Sequence, residues 1–105
     1  MTYRPDQPDP ATVSALEGVA VLDFGTNWCS ICQAARGDIE RGLAGADVPH
    51  LKVEDGRGRP LGRSFRVKLW PTLIFLRDGV EVARVVRPTS AGQVAAALAE
   101  AVGAD

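Results

Sequence analysis

The sequence predicts an α/β domain with one central sheet and helices on both of its faces. Three observations point there. Val19–Phe24 and Leu73–Leu76 are short apolar runs of the kind that form strands buried on both sides, the first bracketed by Gly18 and Gly25. Ile31, Ala35, Ile39 and Leu43, and later Val94, Leu98 and Val102, recur at intervals of four, each set one stripe of an α-helix. Asp78-Gly79 is a strong hairpin signal that joins the second apolar run to a returning strand.

In chain order, residues 1–10 carry Pro5 and Pro8 with little apolar content and read as a flexible arm ahead of a single domain over 11–105. Asp9 before Pro10 is an N-cap followed by a favoured first helical residue, and Val13 and Leu16 line a helix over 11–17 that Gly18 ends. The first strand, Val19–Phe24, contains one residue foreign to a core, Asp23. A long helix follows the cysteines and frays at Gly42 and Gly45. Pro49 precedes a short strand, His50–Val53, and Asp55-Gly56-Arg57-Gly58 is a turn-rich loop. Leu61, Phe65 and Val67 suggest a brief helix. Val80, Val82, Val85 and Val86 form the strand that returns after the hairpin, and Pro88-Thr89-Ser90 starts the last helix. The order is α-β-α-β-α-β-β-α, most simply a β-α-β half and a β-β-α half around one sheet.

Composition narrows the function. The chain has 105 residues, 12 Lys and Arg against 13 Asp and Glu, and a net charge of -1, which argues against electrostatic binding to nucleic acid or an anionic membrane. No apolar run approaches the ~18 residues of a membrane span. The first ten residues lack the basic and apolar regions of a signal peptide, so the expected location is the cytoplasm. The two cysteines, Cys29 and Cys32, and the one histidine, His50, are too few for a disulfide scaffold or a self-contained four-ligand zinc site. In a reducing compartment a close cysteine pair points to catalysis or metal binding.

Trp28-Cys29-Ser30-Ile31-Cys32 lies between a predicted strand and a predicted helix. Unpaired backbone N–H groups and the helix macrodipole place partial positive charge at that point, which favours a Cys29 thiolate and lowers its pKa below the free value of about 8.5. Cys32, three residues on, closes a small disulfide ring that reopens by exchange. The first cysteine then attacks a substrate disulfide and the second resolves the mixed disulfide. Inert core thiols, or half of a metal site completed by a second chain, are the alternatives. Asp23, six residues before Cys29, is costly inside an apolar strand unless paired or functional. It is either an edge residue that reaches water or a buried acid, its pKa raised by desolvation, that takes the proton of the Cys32 thiol.

Leu22-Asp23-Phe24, Trp28-Cys29-Ser30-Ile31-Cys32, Trp70-Pro71-Thr72-Leu73 and Asp78-Gly79 together resemble the thioredoxin family, over residues 11–102. The resemblance implies a three-layer fold with a central mixed four-stranded sheet between helices. It implies a protein-disulfide oxidoreductase that uses its own Cys29–Cys32 disulfide without other cofactor or metal and contributes to redox homeostasis. It further implies disulfide-containing protein substrates, a dithiol electron donor of the thioredoxin-reductase type and a monomer. Asp23 and Lys52 match the family's buried acid and its lysine partner. Pro71, in a position where local chemistry alone favours trans, matches the family's cis-proline, beside which an extended substrate pairs as a short strand.

Several positions depart from the family. Ser30-Ile31 replaces Gly-Pro between the cysteines, and Gly25 replaces a tryptophan. Trp70 stands where a smaller aliphatic is usual, and Arg87 where glycine lets substrate backbone approach. The usual first strand is weak or missing in residues 1–10. Trp28, Trp70, Pro71, Thr72 and Arg87 are thus expected around the substrate groove, with Arg87 restricting large substrates. These departures also fit a second function, a binding module without general reductase activity. Arg57, Arg59, Arg63, Arg66 and Lys68 read as a solvated basic face, and His50 as a strand-edge residue without catalytic duty.

Overall fold

The structure is a computed structural model that describes residues 2–104. Four strands form one sheet: β1 (Val19–Gly25), β2 (His50–Glu54), β3 (Thr72–Arg77) and β4 (Val80–Val86), in the spatial order β2-β1-β3-β4. β1 and β2 are parallel, while β1–β3 and β3–β4 are antiparallel, so the sheet is mixed. Four helices cover it: α1 (Pro10–Ser14), α2 (Ser30–Leu43), α3 (Pro60–Ser64) and α4 (Ala91–Gly103).

Alternation along β1 sends side chains to opposite faces. Val21, Leu73 and Phe75 pack against Ala35, Ile39 and Leu43 of α2 and Val94, Ala97 and Ala101 of α4. On the other face Leu22, Phe24, Ile74 and Leu76 pack against Val13 of α1 and Leu61 of α3. Asp23 shares a face with Val21, so it points toward α2.

Two helical stripes differ from the spacing-based expectation. In α2 the buried residue of the first turn is Cys32, and Ile31 is 41% exposed. In α4 the buried set is Val94, Ala97 and Ala101, and Val102 is 56% exposed. Alanines hold these positions because α2 and α4 approach closely: a Cβ on Gly42 would lie 2.5 Å from Val94 Cβ and 2.7 Å from the Ala91 carbonyl oxygen. α1 ends at Ser14, three residues earlier than its apolar pattern suggests, and is capped by the Asp9 side chain on Thr12 N–H.

The β3–β4 hairpin turns through Asp78 (φ 51°) and Gly79 (φ 80°), the positive pair that a two-residue turn of this hand requires. Asp78 Oδ1 also accepts from Gly18 N at 2.8 Å, tying the hairpin to the entry of β1. A bulge opposite Phe75 and Leu76 shifts the β4 register. That is why the valine alternation of residues 80–82 does not continue to Val85 and Val86.

The expected flexible arm is instead tied to the domain. Arg4 forms a parallel bridge to Val53 on the outer edge of β2, with Arg4 N to Lys52 O at 3.0 Å and Glu54 N to Arg4 O at 2.9 Å. Asn27 clamps the backbone of Tyr3, accepting from its N–H at 2.8 Å and donating to its carbonyl at 3.1 Å. Tyr3 itself is 5% exposed. The proline-rich composition conceals a segment whose one aromatic side chain is part of the interior.

Candidate redox site at the start of α2

Cys29 is the N-cap of α2, in extended conformation (φ -81°, ψ 115°), and its Sγ accepts the Cys32 N–H at 3.2 Å. A sulfur here takes the role of a capping oxygen and faces the unpaired amides of the first turn. Both cysteines are free; Cys29 is half-buried and Cys32 is 3% exposed. Burial, then the neighbouring Cys29, pushes the Cys32 thiol up to about 11. The pair is thus asymmetric, an accessible sulfur at the helix tip and a protonated one behind it.

Beneath Cys32 lies Gly25. A Cβ placed there would stand 2.7 Å from Cys32 Sγ, 2.7 Å from Tyr3 Cζ and 2.9 Å from Tyr3 Oη. The Tyr3 ring therefore fills the space left by the small residue in β1, and its hydroxyl and the Cys32 thiol border the same point above Gly25.

Asp23 is fully buried, so the reading of it as an edge residue that reaches water does not hold. Its Oδ1 accepts from Tyr3 Oη at 2.8 Å, and its Oδ2 lies 2.9 Å from His50 Nε2. Burial and then the Asp23 charge hold the Tyr3 phenol far above the ordinary tyrosine range. Lys52 is paired in register with Asp23 across β1 and β2, and its Nζ stands over the Tyr3 ring, 4.4 Å from the centroid. His50 is on an outer strand of the sheet as expected, but it is a direct partner of the buried acid. The parallel register sets His50 beside Val21 and Lys52 beside Asp23, all on the α2 face.

The other expected groove residues are dispersed. Trp28, next to Cys29, is 70% exposed. The Trp70–Pro71 peptide is cis, Pro71 and Thr72 are buried, and Thr72 Oγ1 donates to the Leu69 carbonyl. Trp70 donates its indole N–H to Asp55 Oδ2 at 2.8 Å and borders a pocket of about 520 Å³ with Arg63, Arg66 and Lys68. Its ring thus belongs to the Asp55–Gly56 loop. Arg87, at φ 51°, donates from Nε to the Trp70 carbonyl at 2.8 Å, and it borders a shallow cleft of about 300 Å³ with Ile31, Ala34 and Thr89. The basic run is not wholly solvated: Arg59 pairs with Glu54 and donates to the Pro5 carbonyl.

Sequence reasoning missed Tyr3 and misjudged His50. The available signal was Gly25, a small residue in a buried strand beside a cysteine, which leaves a hole that some other side chain must fill. Among the described residues no group of three or more His, Cys, Asp and Glu could hold a metal ion, and no helix is long and apolar enough to cross a membrane.

Comparison with known proteins agrees with this geometry. The thioredoxin family profile matches residues 10–100. Thioredoxin of Chlamydia pneumoniae is 37% identical over 73 residues, covering 66% of this chain and 69% of its own. Thioredoxin H2-1 of Oryza sativa subsp. japonica is 34% identical over 70 residues, and the match spans half of that protein's length. Among solved structures, thioredoxin 2 from Pseudomonas aeruginosa PAO1 in its reduced form is 50% identical with a TM-score of 0.87, covering 98% of this chain and 96% of the other. A thioredoxin from Halobacterium salinarum NRC-1, 22% identical with a TM-score of 0.77, shares the fold.

Proposed function

The chain belongs to the thioredoxin family, and from that membership we propose that it is a protein-disulfide oxidoreductase working by dithiol–disulfide exchange between Cys29 and Cys32. The carrying observation is the asymmetric pair, with Cys29 Sγ accepting an amide of the α2 start and Cys32 buried behind it. A Cys29 thiolate attacks one sulfur of a substrate disulfide, and the substrate S–S bond breaks as one substrate thiolate leaves. Cys32 then loses its proton and attacks Cys29 Sγ. The second substrate thiolate leaves, and the protein holds the Cys29–Cys32 disulfide. Two electrons have passed to the substrate, and a dithiol donor of the thioredoxin-reductase type restores the pair.

In this reading Asp23 is the proton acceptor for Cys32, and Lys52 limits the cost of burying its charge. Trp28, Pro71, Thr72 and the backbone of Trp70 shape the surface on which an extended substrate lies, and Arg87 restricts it. The protein acts as a monomer in a reducing, cytoplasmic setting, in cell redox homeostasis. Insulin disulfide reduction with a chemical thiol tests the proposal: Cys29→Ser should abolish catalysis, and equal turnover by the two proteins would refute it.

One observation supports a narrower role. Arg87 Nε occupies the Trp70 carbonyl, an acceptor that a substrate strand would otherwise use. A partner-selective redox protein would then turn over small disulfides well and general protein disulfides poorly.

A further inference from the structure

The Cys32 proton needs a path to Asp23, its proposed acceptor. Cys32 is protonated at neutral pH and only 3% exposed, yet it must lose a proton in order to attack. The groups that face this point come from three elements: Cys32 from α2, Tyr3 from the N-terminal segment, and His50 and Lys52 from β2, around Asp23 in β1. The neighbours of Asp23 on β3 are apolar.

Resting on the function proposed above, we infer that Tyr3 is the proton-relay residue between the Cys32 thiol and Asp23, and that His50 is a positioning residue that holds the carboxylate. Tyr3 Oη donates to Asp23 Oδ1 at 2.8 Å, and Oη and Cys32 Sγ converge over Gly25, 2.9 and 2.7 Å from where its Cβ would stand. A hydroxyl both accepts and donates, so it passes a proton without ionising. The Cys32 proton moves to Tyr3 Oη as the Tyr3 proton moves to Asp23 Oδ1. The Cys32 thiolate attacks Cys29 Sγ, the mixed disulfide breaks and the substrate thiolate leaves. Asp23 keeps that proton on Oδ1 and yields it to solvent after the exchange, while His50 Nε2, 2.9 Å from Oδ2, holds the carboxyl in place. His50 borders an open cleft of about 420 Å³ with Leu51 and Lys52, and Tyr3 and Cys32 border another of about 260 Å³ with Asn27 and Gln33. The phenol is held for this task, its ring wedged over Gly25 and its backbone clamped at both polar atoms by Asn27.

Stopped-flow reaction of the reduced protein with a chromogenic aromatic disulfide separates the steps. The first thiolate released reports attack by Cys29 and the second reports resolution by Cys32. Tyr3→Phe keeps the ring and removes the relay atom. It should slow the second phase relative to the first by about a hundredfold, the low end of what positioned proton transfer contributes, and flatten the pH dependence of that phase. Asp23→Asn should do the same, and the double variant should be no slower than the slower single one. His50→Ala should slow the second phase and His50→Gln, which keeps a polar partner, should restore most of it. A ratio of phases within twofold of wild type in Tyr3→Phe, with an unchanged pH profile, overturns the relay. Absence of a second release from the wild type would instead overturn the oxidoreductase reading. Should Tyr3→Phe fail to fold, the wild type answers: Tyr3 is the only tyrosine, so a ¹³Cζ label gives one signal. The relay requires that signal to follow the ionisation of Cys32 and to lose this response in Cys32→Ala; a signal indifferent to Cys32 overturns it.

Discussion

Replacing Gly25 by alanine probes the packing under the cysteine pair with a single methyl group. The added Cβ would stand 2.7 Å from Cys32 Sγ and from Tyr3 Cζ and 2.9 Å from Tyr3 Oη, all closer than ordinary contact. Neither neighbour yields readily. Cys32 is fixed in the first turn of α2, and Tyr3 is 5% exposed with its backbone clamped by Asn27. Overpacking of this kind costs about 1–3 kcal/mol. If Tyr3 gives way, buried Asp23 Oδ1 loses its donor, a further cost of about 1–3 kcal/mol. Gly25→Ala should therefore lose about 2–6 kcal/mol, a large share of the ~5–15 kcal/mol that holds a domain of this kind together. Urea unfolding of the reduced protein gives the value directly. Gly103→Ala, where a Cβ meets nothing within 4 Å, is the control and should lie within about 0.5 kcal/mol of wild type. Tyr3→Ala should relieve part of the strain, so the two changes together cost less than their sum by about 1 kcal/mol. A Gly25→Ala protein within about 0.5 kcal/mol of wild type would refute the claim that Tyr3 and Cys32 close tightly over this glycine.

Other outcomes follow from the same contacts. Gly42→Ala should destabilise by about 1–3 kcal/mol, because its Cβ meets the Ala91 carbonyl and Val94 where α2 crosses α4; a thermal melt checks it. Arg87→Ala should free the Trp70 carbonyl and lower KM for insulin about two- to fivefold, from a net hydrogen bond of ~0.5–1 kcal/mol, with no change for a small aromatic disulfide. The pH dependence of stability has a definite sign. Burial raises the Cys32 pKa from 9.0 to about 11, so between these values the folded reduced protein holds a proton that the unfolded chain has released. That contribution is present in full below pH 9 and is lost as pH rises toward 11. Oxidised protein, with no thiol at Cys32, lacks this component. Denaturation midpoints of both forms from pH 8 to 11 should show the steeper decline in the reduced form.

Much of the molecule is legible in its sequence. The strand order along the chain, the hairpin at Asp78-Gly79, the capped start at Asp9 and the placement of both cysteines at a helix N-terminus all follow from local signals. Steric periodicity, positive-φ turns and unpaired amides act within a few residues, so the spacing of residue types records them. Asp23 was legible for the same reason, as one carboxylate in an apolar run.

The surroundings of that carboxylate were not. Tyr3 reaches Asp23 across 20 positions and His50 across 27, and neither partnership leaves a trace in local pattern. They exist because β1 and β2 pair in parallel, which sets His50 and Lys52 on the face of Asp23, and because the N-terminal segment bridges to the edge of β2 and lowers Tyr3 over Gly25. Trp70 and Arg87 carry the same lesson. Sequence put both beside the proline, but Asp55 turns the indole away and the Trp70 carbonyl holds the guanidinium. The type of chemistry is written in the sequence, because a thiol at a helix start meets the unpaired amides of the first turn through local geometry. Which groups share the buried acid depends on packing, because burial and strand register bring together side chains that the chain keeps far apart.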